Sequence, residues 1–266
     1  MKINIDKSRI LRYILIAAVI GIIKYAGQIY YTDSFEEMFD KAYGFINFSG
    51  YDRLAGSFLL WFLPEFTIIV CLGNYLEKEL LSNIPMVITR TDKTRTLLLY
   101  RCIELLIYTA VICLVFYCSL YILYGIFNQP AALSAKTLID MAVYLMHMYA
   151  TALILNLMSM FIKPYCCAAA IIIVQLIEIY IIKSINDGLI AVSVYKLLPL
   201  SAVMFDLNTA TASDTKTGLI YLLILTAAVF EASVYLMRKK DFVRLVDEMR
   251  RILSGAIAAG GTTIRS

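Results

Sequence analysis

The sequence predicts an all-α membrane protein with six transmembrane helices, both termini cytoplasmic, and an outer re-entrant segment between spans five and six. Three observations carry that expectation. Six long apolar stretches, separated by short polar breaks, fill most of the 266 residues. The mean hydropathy is +0.77 and 61% of residues are hydrophobic, above the roughly 45–50% apolar content of soluble domains. Finally, Lys and Arg cluster at alternate ends of the stretches.

The stretches run over 10–31, 57–76, 97–127, 137–162, 165–182 and 218–237. Each is near or above the roughly 20 residues that a helix needs to cross about 30 Å of hydrocarbon. Only a helix or a closed barrel satisfies its backbone groups there. The first stretch is long and tyrosine-rich, and no small-residue cleavage site follows it, which argues against a removable signal peptide. Basic residues precede it (Lys2, Lys7, Arg9, Arg12), fill the link after the second span (Lys78, Arg90, Lys93, Arg95) and follow the sixth (Arg238, Lys239, Lys240, Arg244). The positive-inside rule places those three regions in the cytoplasm, in keeping with an even number of spans.

Between the first two spans, Ser34-Phe-Glu-Glu37 matches a capping box. Phe35, Met38, Phe39, Ala42 and Phe45 then recur at helical spacing, so a short helix is expected flat on the outer membrane surface or over a neighbouring subunit. Residues 188–205 are apolar but interrupted by Lys196 and Pro199. Counted as a span they would send the basic tail outside, so 185–210 is read as a re-entrant or surface-lying segment. The six-span domain covers 1–240; residues 241–266 form a cytoplasmic tail whose first part is patterned as an amphipathic helix. Ala17 and Gly21, four apart, would let two helices approach closely.

Ionisable residues inside spans are costly, about 2.5–3.5 kcal/mol each on insertion scales, and usually face protein or water. Glu65 (after Pro64), Glu104, His147, Glu178 and Glu231 are therefore candidates for a transport path; Lys24 and Asp140 pose the same question. Pairing between helices would account for them equally well. The six cysteines lie in or beside spans without a Cys-x-x-Cys pattern, and the single histidine excludes a multi-histidine metal cage. No phosphate-binding loop, zinc-protease or serine-hydrolase motif is present, and no basic patch suggests nucleic acid. No catalytic, cofactor-binding or metal residues are assigned, and the chain is not expected to be an enzyme.

The link 77–96 carries acidic residues, an apolar knob at Ile84, Met86, Val87 and Ile88, and then Thr89-Arg-Thr-Asp-Lys-Thr-Arg95. With six spans, cytoplasmic ends and the outer segment before the last span, the chain resembles permease subunits of bacterial ABC exporters with the six-span type V fold. Large outer domains are absent, as in the small peptide-exporting and bacteriocin-immunity members, and the 19 Tyr and 13 Phe suit amphipathic peptides of the phenol-soluble-modulin or lantibiotic kind. The resemblance implies that the link is a coupling helix docking on an ATPase, with Glu79, Ile84, Pro85, Met86, Val87, Arg90, Lys93 and Arg95 as the contact. It also implies two ATPase subunits carrying ATP and Mg, a second permease subunit, and export of small amphipathic peptides or lipid-like cargo. The chain would then lie in the bacterial plasma membrane as a multi-pass protein. A non-transporting sensor or scaffold, or a proton-coupled secondary transporter, remain the competing expectations.

Overall fold

A computed structural model describes residues 7–28, 34–44, 46, 51–82, 94–128, 133–196, 198–205 and 215–239. These residues are helical, joined by short turns. In chain order they form α1 (Lys7–Gln28), α2 (Phe35–Gly44), α3 (Tyr51–Leu72), α4 (Tyr75–Ser82) and α5 (Thr94–Phe127). Then come α6 (Ala135–Ser159), α7 (Pro164–Asn186), α8 (Val192–Tyr195), a 3-10 turn (Pro199–Val203) and α9 (Thr215–Lys239). Among the described residues, six segments are long and apolar enough to cross a membrane: Ser8–Gly27, Gly56–Glu79, Leu98–Phe127, Ala135–Ser159, Pro164–Asn186 and Lys216–Tyr235. Their outward faces carry large exposed apolar side chains such as Leu15, Leu59, Leu114, Ile173 and Ile224. Contiguous apolar surface of that extent suits lipid and not water.

The second span is broken. Gly73 and Asn74 form a turn between α3 and α4, which leaves carbonyls at the end of one helix and amides at the start of the next without helical partners. Asn156 of α6 answers both sides: its Nδ2 donates to the Leu72 carbonyl at 2.6 Å and its Oδ1 accepts from the Leu76 N–H at 2.9 Å. The break is thereby held inside an apolar bundle.

Helix α5 has 34 residues and, at about 1.5 Å per residue, is about 51 Å long. That exceeds the about 30 Å of hydrocarbon by some 20 Å, so its ends stand beyond the apolar layer. Helix α1 packs closely along it. The Ala17/Gly21 pair makes that approach possible: a Cβ on Gly21 would stand 2.6 Å from Ser119 Cβ.

The elements expected on the outer face pack against the bundle instead of lying flat on a membrane surface. Ser34 Oγ accepts from the Glu37 N–H at 3.2 Å, as the capping box requires. Helix α2 then turns Phe35, Met38, Phe39, Ala42 and Tyr43 into the end of the bundle, all of them buried, against α5, α6 and the loop before α9. It is a plug, because its apolar face finds aromatic partners (Tyr117, Tyr144, Phe205) among the helix ends, a better surface than an interface with water. Phe45 lies outside the described residues. Among the described residues of 188–205, α8 and the 3-10 turn are regular elements, and Tyr195, Leu200, Val203, Met204 and Phe205 are buried. Among the described residues no helix there is long enough to span, and Gly188 (φ 76°) makes the left-handed turn that ends α7. The amphipathic tail from 241 onwards lies outside the described residues.

Candidate functional site

Short antiparallel connections put the first residues of α1, the end of α4, the start of α5 and the end of α6 at one end of the bundle, and α2 with the 188–205 segment at the other. Three polar clusters are threaded along that axis.

The central cluster lies at mid-depth. Glu65, one residue after Pro64 in α3, is fully buried; His147 and Gln175 are 4% and 6% exposed. Glu65 Oε1 lies 2.6 Å from His147 Nε2, and Gln175 Nε2 donates to Glu65 Oε2. Three spans thus meet on one carboxyl group, which satisfies the rule that a buried charge must be paired or hydrogen-bonded. Trp61 packs beside His147 with ring centroids 6.4 Å apart and donates its indole N–H to the Tyr43 carbonyl at 2.9 Å. Lys24 of α1 approaches from the α2 side, donates to the Ala42 carbonyl and sits 5.7 Å from the centre of the Tyr43 ring.

A partly enclosed cavity of about 180 Å³ adjoins this cluster, between α6, α7, α9 and the 3-10 turn. His147, Thr151, Gln175 and Glu178 supply its polar groups, and aliphatic side chains the rest. Glu178 is half-buried and accepts the Leu200 N–H at 3.0 Å, which ties α7 to the 3-10 turn.

The second cluster braces the end from which the 83–93 link departs. Glu79 of α4 accepts from Arg9 of α1 at 2.9 Å and pairs with Arg101 of α5 at 3.5 Å. Arg101 also contacts Glu104 at 2.5 Å, and the Tyr75 hydroxyl donates to Glu104 at 2.9 Å. Arg101 and Glu104 are buried. The third cluster, at the α2 end, joins Lys136 of α6 to Glu36 at 3.0 Å and Asp40 at 2.8 Å. The Ser134 hydroxyl donates to Glu36 at 2.6 Å, and these donors together hold the Glu36 carboxyl below its ordinary range.

Of the five path candidates read from sequence, Glu65, His147 and Glu178 are brought together. Glu104 belongs to the charged brace and Glu231 to an exposed pair with Arg95, which links α9 to α5 on the outside of the bundle. Helices that are apolar all round carry no rotational signal, so depth was readable and facing was not. Glu79 is turned inward onto Arg9 and Arg101; Ile84, Pro85, Met86, Val87, Arg90 and Lys93 lie outside the described residues. Gln175 and Asn156, both central to the arrangement, went unnoticed in the sequence. A polar amide in an otherwise apolar span is the signal that finds them. Among the described residues no group of three or more His, Cys, Asp and Glu is placed to hold a metal ion.

The fold and its polar clusters define an all-helical chain built to sit across a membrane. A family profile matches residues 14–243, and the chain belongs to that family, described as a protein of unknown function (DUF2705). No curated protein matches the chain, and no solved structure matches it.

Proposed function

We propose that the chain is the permease subunit of an ABC exporter, moving small amphipathic peptides or lipid-like cargo out of a bacterial cytoplasm under the drive of a separate ATPase. One observation carries this reading: the root of the 83–93 link, at the end of the second span, is tied by part-buried ion pairs to the first and third spans. Glu79, where α4 leads into the link, holds Arg9 of α1 and Arg101 of α5. A push on the link would reach the first, second and third spans together, as a lever requires, because packed interfaces shift between discrete arrangements and do not deform continuously. The link bears the basic and apolar residues that suit docking on a partner, with Arg90 and Arg95 as polar anchors. In this reading two permeases and two ATPase subunits assemble in the plasma membrane, the link faces the cytoplasm, and ATP and Mg are held by the ATPase.

The test is reconstitution with an ABC ATPase encoded beside this chain. Co-purification and cargo-stimulated ATP hydrolysis are expected, and deletion of residues 84–88 or Arg90→Glu should abolish the stimulation. Hydrolysis that survives both changes overturns the docking assignment.

The Glu65–His147 pair favours a second reading, a proton-coupled carrier, since two titratable groups buried at mid-depth are a common form of proton relay. Cargo flux in vesicles driven by a pH gradient alone, and lost in Glu65→Gln, would select it.

A further inference from the structure

We propose that the cavity between α6, α7 and α9 seats one acyl chain of a membrane phospholipid, whose phosphate rests by Lys163 at the turn between α6 and α7. Shape is the first observation. The lining residues run along α6 from His147 to Met158 and along α7 from Ala170 to Glu178. At about 1.5 Å per residue these two walls are about 16 and about 12 Å long. The cavity is therefore a groove parallel to the spans, and it matches in length half of the about 30 Å hydrocarbon layer. A chain of one leaflet has that length and that direction.

The second observation is the make-up of the walls. Ile154, Met158, Ile171, Val174, Leu222 and Leu225 supply the long sides. Polar groups gather at the mid-depth end and are already engaged: His147 and Gln175 with Glu65, and Glu178 with the Leu200 N–H. A space of about 180 Å³ between aliphatic walls suits an apolar guest, since apolar cavities of about 150 Å³ stay dry and take up apolar molecules. Helices α7 and α9 both pack on α6 and leave the groove between them. Val174, part of the lining, is 52% exposed, so the groove opens sideways on the surface that meets lipid. What fills it comes from the bilayer.

A third observation fixes the headgroup. Lys163 caps the start of α7, seven residues before Ala170, which puts it on the groove's side of that helix and two turns nearer the end of the bundle. It is exposed, and its ammonium lies 5.9 Å from the centre of the exposed Tyr165 ring. A cation and an amphipathic ring at the end of a span belong at headgroup level. A phosphate held there, with its chain running along the groove, brings the far half of that chain against His147. Anionic lipid gains the most from such a lysine. Binding of this kind needs neither an ATPase nor transport, so the lipid site and the export reading stand or fall separately.

The chain carries one tryptophan, Trp61. It is 2% exposed and lies beside His147 at the groove's inner end, so lipid around the bundle is kept off it while a chain in the groove comes close. The purified full chain in detergent micelles is titrated with phosphatidylglycerol brominated in the far half of its chains, bromine being a short-range quencher of tryptophan emission. Saturable quenching is expected. Ala170→Phe and Ile154→Phe, which fill the groove, should each cut the plateau by at least half. Lys163→Glu, outside the groove, should raise the midpoint at least threefold and leave the plateau where it was. Thermal unfolding shows which variants are folded; one folded groove-filling variant suffices, and if neither folds, Lys163→Glu carries the test. Quenching that does not saturate, a folded groove-filling variant whose plateau falls by less than half, or a Lys163→Glu midpoint less than threefold above the parent's overturns the proposal.

Discussion

His147 Nε2 lies 2.6 Å from Glu65 Oε1, joining α6 to α3 where neither side chain meets solvent. With Gln175 on the other carboxylate oxygen, the contact fixes the relative rotation of three spans that apolar packing alone would leave weakly specified. Truncating one member leaves the others buried and unpaired. Glu65→Ala is therefore expected to lower stability by about 3–5 kcal/mol, and Glu65→Gln, which keeps the shape and some hydrogen bonding, by clearly less. Thermal unfolding in detergent with the double variant Glu65→Ala/His147→Leu completes the cycle. Fully additive effects of the two changes would show that the pair is not coupled.

Asn156 is the next point of weakness. Its amide serves the Leu72 and Ala152 carbonyls and the Leu76 N–H, so one side chain closes the break between α3 and α4. Asn156→Leu keeps the volume and removes all three bonds. Each buried group left unmet costs about 1–3 kcal/mol. Hydrogen exchange should speed up at residues 72–78 before it does elsewhere, and unchanged protection there would refute the role.

Close packing of α1 on α5 makes a different kind of prediction. Since a Cβ on Gly21 would meet Ser119 Cβ at 2.6 Å, Gly21→Ala should force the helices apart and cost about 1–3 kcal/mol. Ser119→Gly should restore most of that loss in the double variant. If Gly21→Ala alone leaves the melting temperature where it was, the two helices are not held at this distance.

The α2 plug should respond to acid. Hydrogen bonds from Ser134 and Lys136 hold the Glu36 carboxyl below its ordinary range. A depressed folded-state value means stabilisation that is present above the unfolded value of about 4.3 and is lost as pH falls through the lower, folded one. Glu36 and Lys136 are each more than a third exposed, so solvent screening keeps the effect small. Limited proteolysis around α2 should therefore rise below about pH 4, and the Lys136→Met variant should show a weaker pH dependence than the parent.

How far the sequence reaches is clearest from the spans themselves. Apolar stretches at 97–127 and 218–237 correspond to Leu98–Phe127 and Lys216–Tyr235, because length and hydropathy are properties of the segment alone. Ser34, Glu37 and the Ala17/Gly21 pair were legible too, as their roles rest on local spacing. Facing was not. Whether Glu104 joins Glu65 or Arg101 depends on rotation about an axis with no polar side to mark it. Likewise the amphipathicity of α2 points to a membrane surface or a neighbouring subunit, because it shows which side is apolar without showing what covers it. Gln175 looked unremarkable beside charged neighbours, though as an amide it donates to one carboxylate and still presents an acceptor.

The charged brace and the exposed pair give the sharpest contrast. Arg101 and Arg95 lie on the same helix, six residues apart, and each contacts a glutamate. Arg95 and Glu231 are both more than half exposed, and such pairs contribute about 0–1 kcal/mol. Arg101 is buried against Glu104 and Glu79 together. Its loss would take a buried cation from Glu104, which keeps the hydrogen bond from the Tyr75 hydroxyl. Arg101→Met should thus cost about 3–5 kcal/mol, and Arg95→Ala less than about 1. If Glu79 is the root of a lever, Arg101→Met should also separate partner binding from its consequence. An ATPase would still bind the intact link, yet its hydrolysis would no longer respond to cargo. Arg95→Ala, if Arg95 is an anchor of docking, should do the reverse and weaken capture while leaving the fold intact. Equal effects of the two substitutions on both stability and stimulation would mean that neither burial nor position along α5 separates the two arginines, and the lever would have to be sought elsewhere.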